Sequence, residues 1–337
     1  MILIDAIFIN CGGGKILLDY LYQVLQESGL NVTMLIDERI KDEYILKQDK
    51  NISLFFLKKF SERNTFLKTN KNAFSKVLCF GNTPPNVKMK ATVYTYFHQA
   101  IYFNIPKEFS LLEKVKFNIK IYVLKKYNKN TDFWMVQSDF IRKGLENKFK
   151  IENTRILEIP FYPPLSIQDL YVQREKNTFI FVSNATPNKN HIRLINSFCK
   201  FYDKFGIGRL TLTVSDSFPE VKGIIEDRQK QGYPIENLGF ITRHDLCLYY
   251  RKSEYLIFPS LAESFGLGIV EAIENGCKVI GADLGYMYEA CEPSLVFNPT
   301  EEQSIYDSFC IATSQNLPES KQNIYNKVDE LIKLLKD

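Results

Sequence analysis

The chain has 337 residues, 45% of them hydrophobic and 24% charged, which suits two domains with separate cores and excludes a disordered or low-complexity protein. Seven scattered cysteines without Cys-x-x-Cys spacing and three isolated histidines argue against a disulfide scaffold or a zinc site, and no apolar run is long enough to span a bilayer. The +4 formal charge is uneven: 25 basic and 16 acidic residues in 1–165, 18 and 23 in 166–337, and 15 and 3 within 51–130. That asymmetry suggests that the first half faces an anionic partner.

The N-terminus has no basic start or cleavage pattern and reads as a strand over 3–10. A Cys11-Gly12-Gly13-Gly14-Lys15 loop follows, then a helix ending near Gly29 and a strand over 31–36. The glycines lack the spacing of a dinucleotide fingerprint or a P-loop, so this loop is a phosphate cradle or simply a tight turn. Residues 51–76 are rich in Lys, Asn and Phe; a strand at 77–80 and a Pro84-Pro85 turn come next. Val93 to Gln99 reads as a strand running into a loop, with His98 at its carboxyl end, as a structural or a site residue. The stretch 107–129 reads as a basic helix with interleaved aromatics, either a lysine face in solvent or an attachment to anionic lipid headgroups. A strand at 134–137 leads to Ser138, an N-cap for a helix over 139–149. A strand at 154–158 then meets the proline-rich linker Pro160 to Pro164.

The second half opens with a strand at 178–183 and the loop Asn184 to His191, then a helix to about Phe205 with apolar positions at helical spacing. Lys189, near that helix start, is a compact charge suited to phosphate oxygens. A strand at 209–214, a helix near 219–231, Asn237-Leu-Gly239-Phe240 and a helix starting at Thr242 follow. From Tyr255 to Asp283 the pattern is apolar strand, loop with Glu263, helix with Glu271, glycine stop at Gly276 and a second apolar strand. The helix is expected to begin near Phe265-Gly266-Leu267, its free N–H groups and dipole making an anion site at the carboxyl edge of the sheet. Glu263 and Glu271 flank that site and can each accept two hydrogen bonds from a diol, unless they are only a dipole-favouring acid and a solvated helix charge. Two more helices end the chain, the last with Ile324, Val328, Leu331, Ile332 and Leu335 on one stripe.

Glu263 to Glu271, with Phe-Gly-Leu between, resembles the Glu-x7-Glu motif of retaining GT-B glycosyltransferases, glycosyltransferase family 4. The resemblance extends to Asn237-Leu-Gly-Phe-Ile-Thr-Arg upstream and Val279-Ile-Gly-Ala-Asp downstream, and is strong over about 178–300. It implies an α/β fold of two Rossmann-like domains facing across a cleft: an acceptor-side domain over 1–160, a nucleotide-sugar domain over 161–315, and a helix in 316–337 returning to the first. It implies transfer of a sugar from a UDP-sugar or GDP-sugar to a glycan or polyprenyl-diphosphate-linked acceptor, with retention, in bacterial surface polysaccharide (O-antigen or capsule) assembly. No resident cofactor is expected, and the absence of an Asp-x-Asp motif implies no essential metal. By the same resemblance Glu263 orients the sugar hydroxyls, Glu271 the ribose, and Lys189 with Phe265, Gly266 and Leu267 the diphosphate. Gly239 and Phe240 lie beside the base, His98 touches the donor sugar, and Gly13 and Gly14 line the donor and acceptor side. Asn184 departs from the family, where an arginine stands in a Gly-Arg pair. The implied place is the cytoplasm, with the basic half against the anionic inner membrane surface; no nucleic-acid partner is expected. The alternatives are a non-catalytic GT-B partner subunit, which Asn184 favours, and a nucleotide-sugar epimerase, which the two glutamates oppose. A nicotinamide dehydrogenase would need the fingerprint that residues 9–16 lack.

Overall fold

The structure, a computed structural model, describes residues 1–47, 49–106, 109–165 and 172–337. The chain divides into two units: Met1–Ile105 with Ser110–Pro163 and Tyr325–Asp337, and Pro106–Phe109 with Pro164–Ile324.

The first unit runs β1 (Ile2–Ala6), α1 (Gly12–Ser28), β2 (Val32–Asp37), α2 (Lys41–Ile45), β3 (Ile52–Leu57), α3 (Phe60–Thr69), β4 (Lys76–Cys79), β5 (Thr92–Phe97), α4 (Leu111–Tyr127), β6 (Phe133–Val136), α5 (Asp139–Phe149) and β7 (Ile156–Glu158). Its seven strands form a parallel sheet in the order β3-β2-β1-β4-β5-β6-β7. Every residue of β1 and β2 is buried, as the short apolar runs require of strands covered on both faces. The Ser138 hydroxyl accepts from the Ile141 N–H, so the expected N-cap opens α5.

One expectation needs correction here, and two stretches gain detail. The first strand stops at Ala6 and does not reach residue 10, because Phe8 is left-handed (φ 73°) and donates its N–H to Asp37 Oδ2 at 3.1 Å. Residues 51–76, to which no element was assigned from sequence, hold the edge strand β3 and the helix α3. Within them Arg63 is 1% exposed, 2.6 Å from Asp5, and it donates to the Thr83 (2.7 Å) and Pro84 (3.3 Å) carbonyls. Arg63 therefore ties β1 to the loop after β4. The helix expected over 107–129 is described from Leu111, opened by the Ser110–Glu113 capping box; Lys107 and Glu108 lie outside the described residues.

The second unit runs β8 (Glu175–Phe181), α6 (His191–Phe205), β9 (Arg209–Leu212), α7 (Pro219–Lys230), β10 (Ile235–Asn237), α8 (Arg243–Lys252), β11 (Ser253–Phe258), α9 (Leu267–Glu274), β12 (Lys278–Ala282), α10 (Gly285–Ala290), β13 (Cys291–Glu292), β14 (Leu295–Phe297), α11 (Glu302–Ser314) and β15 (Lys321–Gln322). Six strands form a parallel sheet, β10-β9-β8-β11-β12-β14, and β13 pairs with β15 separately. The strand order reverses between β8 and β11, whose carboxyl ends open a crevice where open α/β sheets take ligands.

The last helix, α12 (Val328–Lys336), belongs to the first unit. Val328, Leu331 and Leu335 are buried, while Ile324 precedes the helix. The turn before it is held by polar bonds: Asn326 Nδ2 donates to Tyr20 Oη of α1 (3.0 Å) and to the Tyr162 carbonyl (2.9 Å), and the Lys327 N–H to the Pro160 carbonyl (2.7 Å).

Candidate active site

The loops after β8 and β11 carry most of the expected donor-side residues, and asparagines stitch them together. The Leu261 N–H donates to the Asn188 carbonyl (2.7 Å), Asn188 Nδ2 to the Ala262 carbonyl (3.3 Å), and Asn190 Nδ2 to the carbonyls of Pro259 (3.2 Å) and Pro299 (2.7 Å). Asn190 is left-handed (φ 63°), which ends the short turn Pro187–Lys189 and lets α6 start at His191. Strained non-glycine backbone at a strand's carboxyl edge is a recurrent feature of functional loops. The stitching presents Lys189 to Glu263, and the two form a salt bridge with side chains 20% and 12% exposed. Each ion compensates the other while leaving one side open to solvent.

The helix expected to begin near Phe265-Gly266-Leu267 starts at Leu267. Gly266 is its left-handed N-cap (φ 71°), Leu267 its first residue, and the Ile269 N–H already donates to the Gly266 carbonyl (2.7 Å). An L side chain at Gly266 would be strained by that φ and would meet Ile269 Cδ1 at 2.7 Å. The first-turn N–H groups are thus those of Leu267 and Gly268, and Phe265 is a buried side chain in the loop before them.

Glu271 is not a solvated helix charge. It is 3% exposed and paired with Arg243, the first residue of α8. Burial raises its carboxyl pKa and the Arg243 charge opposes that rise. The buried Tyr250 phenol beside it is pushed well above its ordinary value by burial and by the Glu271 charge. A Cβ placed on Gly268 would stand 3.3 Å from the Tyr250 oxygen, so Gly268, Tyr250 and Glu271 share one corner of the unit.

Arg243 is the residue that sequence reasoning missed. A signal was present: a cation at the first position of the helix, right after the Thr242 cap, opposes the helix dipole that Asp245 in the same turn favours. Asn184 is exposed in the loop after β8. Gly239 is left-handed (φ 61°) and Phe240 is 91% exposed beside it, in the loop between β10 and α8.

The remaining expected residues lie in the first unit. A Cβ on Gly14 would stand 3.8 Å from His98 Nε2, so the glycine loop and the histidine are neighbours; Gly13 has open space. His98 is 9% exposed and packs on Phe80 and Tyr96. Asn82, left-handed like Phe8 and Asn190, accepts the His98 N–H on Oδ1 at 2.6 Å and brings Nδ2 to 3.1 Å from Nε2. With Oδ1 thus occupied, Nδ2 donates and the ring proton sits on Nδ1. Burial lowers the imidazole pKa to about 4, so His98 is neutral at neutral pH and is no proton donor of the imidazolium kind. Among the described residues no three His, Cys, Asp or Glu side chains converge as metal ligands.

Residues 166–306 match the family described as "Glycosyl transferases group 1". The O-antigen chain mannosyltransferase RfbU of Salmonella typhimurium (strain LT2) is 24% identical over 225 residues, 65% of this chain and 60% of that protein. The chain thus spans about three-fifths of that relative's length. Among solved structures, WaaG, a glycosyltransferase involved in lipopolysaccharide biosynthesis, aligns with TM-score 0.71 at 14% identity, covering 94% of this chain and 91% of WaaG. The Anabaena protein Alr3699/HepE, solved with UDP and glucose, aligns with TM-score 0.67 at 14% identity, covering 91% of this chain and 88% of its own. The fold is the GT-B fold of these glycosyltransferases, with a Rossmann-like unit in each half, and the second unit carries the glycosyl transferases group 1 segment.

Proposed function

We propose that this protein transfers a sugar from a UDP-sugar or GDP-sugar to a glycan or polyprenyl-diphosphate-linked acceptor, with retention, in the assembly of a bacterial surface polysaccharide. The observation that carries the reading is the pair of salt bridges, Lys189–Glu263 between the loops after the central strands β8 and β11, and Arg243–Glu271 between α8 and α9. A ligand with a diphosphate between two hydroxyl-bearing sugars matches that set: cations for the phosphates, carboxylates for the diols. The relative named as an O-antigen mannosyltransferase supports the polysaccharide setting and makes mannose a first donor to try. In this reading the Lys189 ammonium turns from Glu263 to the diphosphate, and Glu263 becomes free to accept from sugar hydroxyls. Glu271, fixed by Arg243, accepts from the ribose, and the Leu267 and Gly268 N–H groups face the phosphate.

The chemical step breaks the bond between the anomeric carbon and the β-phosphate oxygen and forms one to the acceptor hydroxyl oxygen on the same face. The hydroxyl proton passes to the departing phosphate, leaving nucleoside diphosphate and a glycoside of unchanged configuration. Charge build-up on the leaving group is the difficult part, and Lys189 with the α9 amides would stabilise it without a divalent ion. Neutral His98 would serve as a contact to the donor sugar, not as an acid. The reaction would take place on the cytoplasmic side, where nucleotide sugars are made.

Incubation with UDP- and GDP-sugars and a short lipid-linked glycan tests the reading. Nucleoside diphosphate release in excess chelator, with an axial product from an axial donor by NMR, is the expected result. Release that stops with chelator and returns with magnesium would reject the metal-free mechanism. An inert protein across the whole donor panel favours the non-catalytic subunit, the reading to which Asn184 lends weight.

A further inference from the structure

The seam between α8 and α9 holds more than the Arg243–Glu271 pair. Arg243, Cys247 and Arg251 stand four residues apart on α8, and Glu271 and Asn275 stand four apart on α9 and its C-cap. Each set therefore lines one stripe of its helix. The contacts between the stripes keep a single offset. Arg243 pairs with Glu271, 28 residues on, and the Cys247 thiol donates to Asn275 Oδ1 at 3.0 Å, again 28 residues on. Arg251 Nε donates to the same oxygen at 3.2 Å. The two helices run in the same direction and are pinned at both ends of the seam, by an ion pair at one end and by Asn275 at the other.

Asn275 is 6% exposed, and its side-chain amide is fully used. Oδ1 accepts twice, while Nδ2 donates to the Glu271 carbonyl (2.8 Å) and to the Leu165 carbonyl (2.9 Å), close to where the chain enters the second unit. Its own N–H donates to the Glu271 and Ala272 carbonyls at 3.2 Å each, and its carbonyl accepts from Arg174 Nη2 at 2.8 Å. A primary amide supplies two donors and two acceptors in one plane; an apolar replacement leaves these buried partners unmade. Helix α9 has only eight residues, too few to persist by itself, so such tertiary ties set where it lies.

We propose that Asn275 is a positioning residue for Glu271: it locks the register of α8 against α9 and thereby holds the Glu271 carboxylate in the orientation that accepts a ribose diol. The inference rests on the sugar-transfer reading, which gives Glu271 to the ribose; Asn275 itself touches no substrate. A buried amide needed only for stability lowers the melting temperature and leaves the ligand preference of the folded protein unchanged. A positioning residue alters that preference, because a carboxylate displaced by about 1 Å no longer meets both hydroxyls.

The experiment is calorimetry of the full chain with UDP and 2′-deoxy-UDP, and with GDP and 2′-deoxy-GDP. Wild type is expected to bind the preferred ribonucleotide about tenfold or more tighter than its deoxy form, since losing the 2′-hydroxyl removes a hydrogen bond to a charged acceptor. Glu271→Ala should abolish the preference. Asn275→Ala and, independently, Arg251→Met should shrink it to about threefold or less, with the deoxy form bound much as by wild type and with native circular dichroism. Arg251 is only half-buried, so Arg251→Met decides alone should Asn275→Ala fail to fold. Either variant, folded and discriminating as wild type does while Glu271→Ala does not, would overturn the positioning role and leave the ribose assignment standing. A wild type that binds no nucleotide, or shows no preference for the ribonucleotide, would overturn the assignment of Glu271 and the inference with it.

Discussion

The two units repeat one topology and use it differently. In each, the central strand of the order 3-2-1-4 ends beside a loop with a left-handed non-glycine residue: Phe8 and Asn82 in the first, Asn190 in the second. In the second unit those loops hold the Lys189–Glu263 pair with an open side, and beside them the exposed side of Arg243 partners the buried Glu271 between α8 and α9. In the first, the pair Asp5–Arg63 is fully enclosed, and His98, the neighbour of Gly14, is neutral. The lesson is that fold alone does not set the chemistry of a crevice. Open salt bridges can exchange partners with an anionic ligand; an enclosed one can only hold the fold.

The largest effect that would break this comparison is in the enclosed pair. Arg63→Met leaves Asp5 buried without its cation and should cost about 3–5 kcal/mol of stability, read from urea unfolding. A loss below about 1 kcal/mol would mean that the pair is not structural.

The open pairs should affect ligand handling more than folding. Glu263→Ala should lower sugar transfer by about 10²–10³-fold if Glu263 orients the reacting sugar, with little change in nucleoside diphosphate affinity. A cycle of Arg243→Met and Glu271→Gln should show coupling of about 1–3 kcal/mol in nucleotide binding. Additive effects would separate Arg243 from the ribose site.

Each unit also buries a neutral histidine, and these sharpen the comparison through pH. His98 has its pKa lowered to about 4 and His191 to about 3, in both cases mainly by burial, with the Lys189 charge adding to the second. Neither ring nitrogen of His191 has a hydrogen-bond partner among the described residues. Both folded-state values lie below the unfolded value near 6.5, so the unfolded chain binds more protons and stability falls as pH drops through that window. Between about pH 6.5 and 5 each histidine should cost about 2 kcal/mol, most of which His191→Phe should remove for its own site. Urea midpoints at several pH values check this; a flat profile would contradict it.

How far the sequence alone reached differs between the units for the same reasons. The second unit was legible because its strands are short apolar runs between glycines and because Glu263, Glu271 and Lys189 sit at fixed distances from helix starts. The first was less so. The edge strand β3 has one buried residue, Ile52, with the rest exposed or half-buried, and α3 carries only two buried residues, one of them an arginine. Composition assigned that segment no element; the Asp5 contact, 58 residues away in sequence, is what pairs the buried Arg63. Arg243 escaped for the same cause, since its partner comes from another helix 28 residues on. Tertiary pairing of charges has no local pattern, although a cation at a helix start is a usable warning.

The central claim, that the second unit's strand-order reversal holds the nucleoside diphosphate, is tested most directly by calorimetry with UDP and GDP. Wild type, Lys189→Ala and His98→Ala should be titrated side by side. The account predicts that Lys189→Ala weakens binding of the preferred nucleotide by about 10–100-fold, the value of a charge-assisted hydrogen bond, while His98→Ala binds as wild type does. Wild-type affinity in Lys189→Ala, with binding lost in His98→Ala, would place the nucleotide in the first unit and contradict the account.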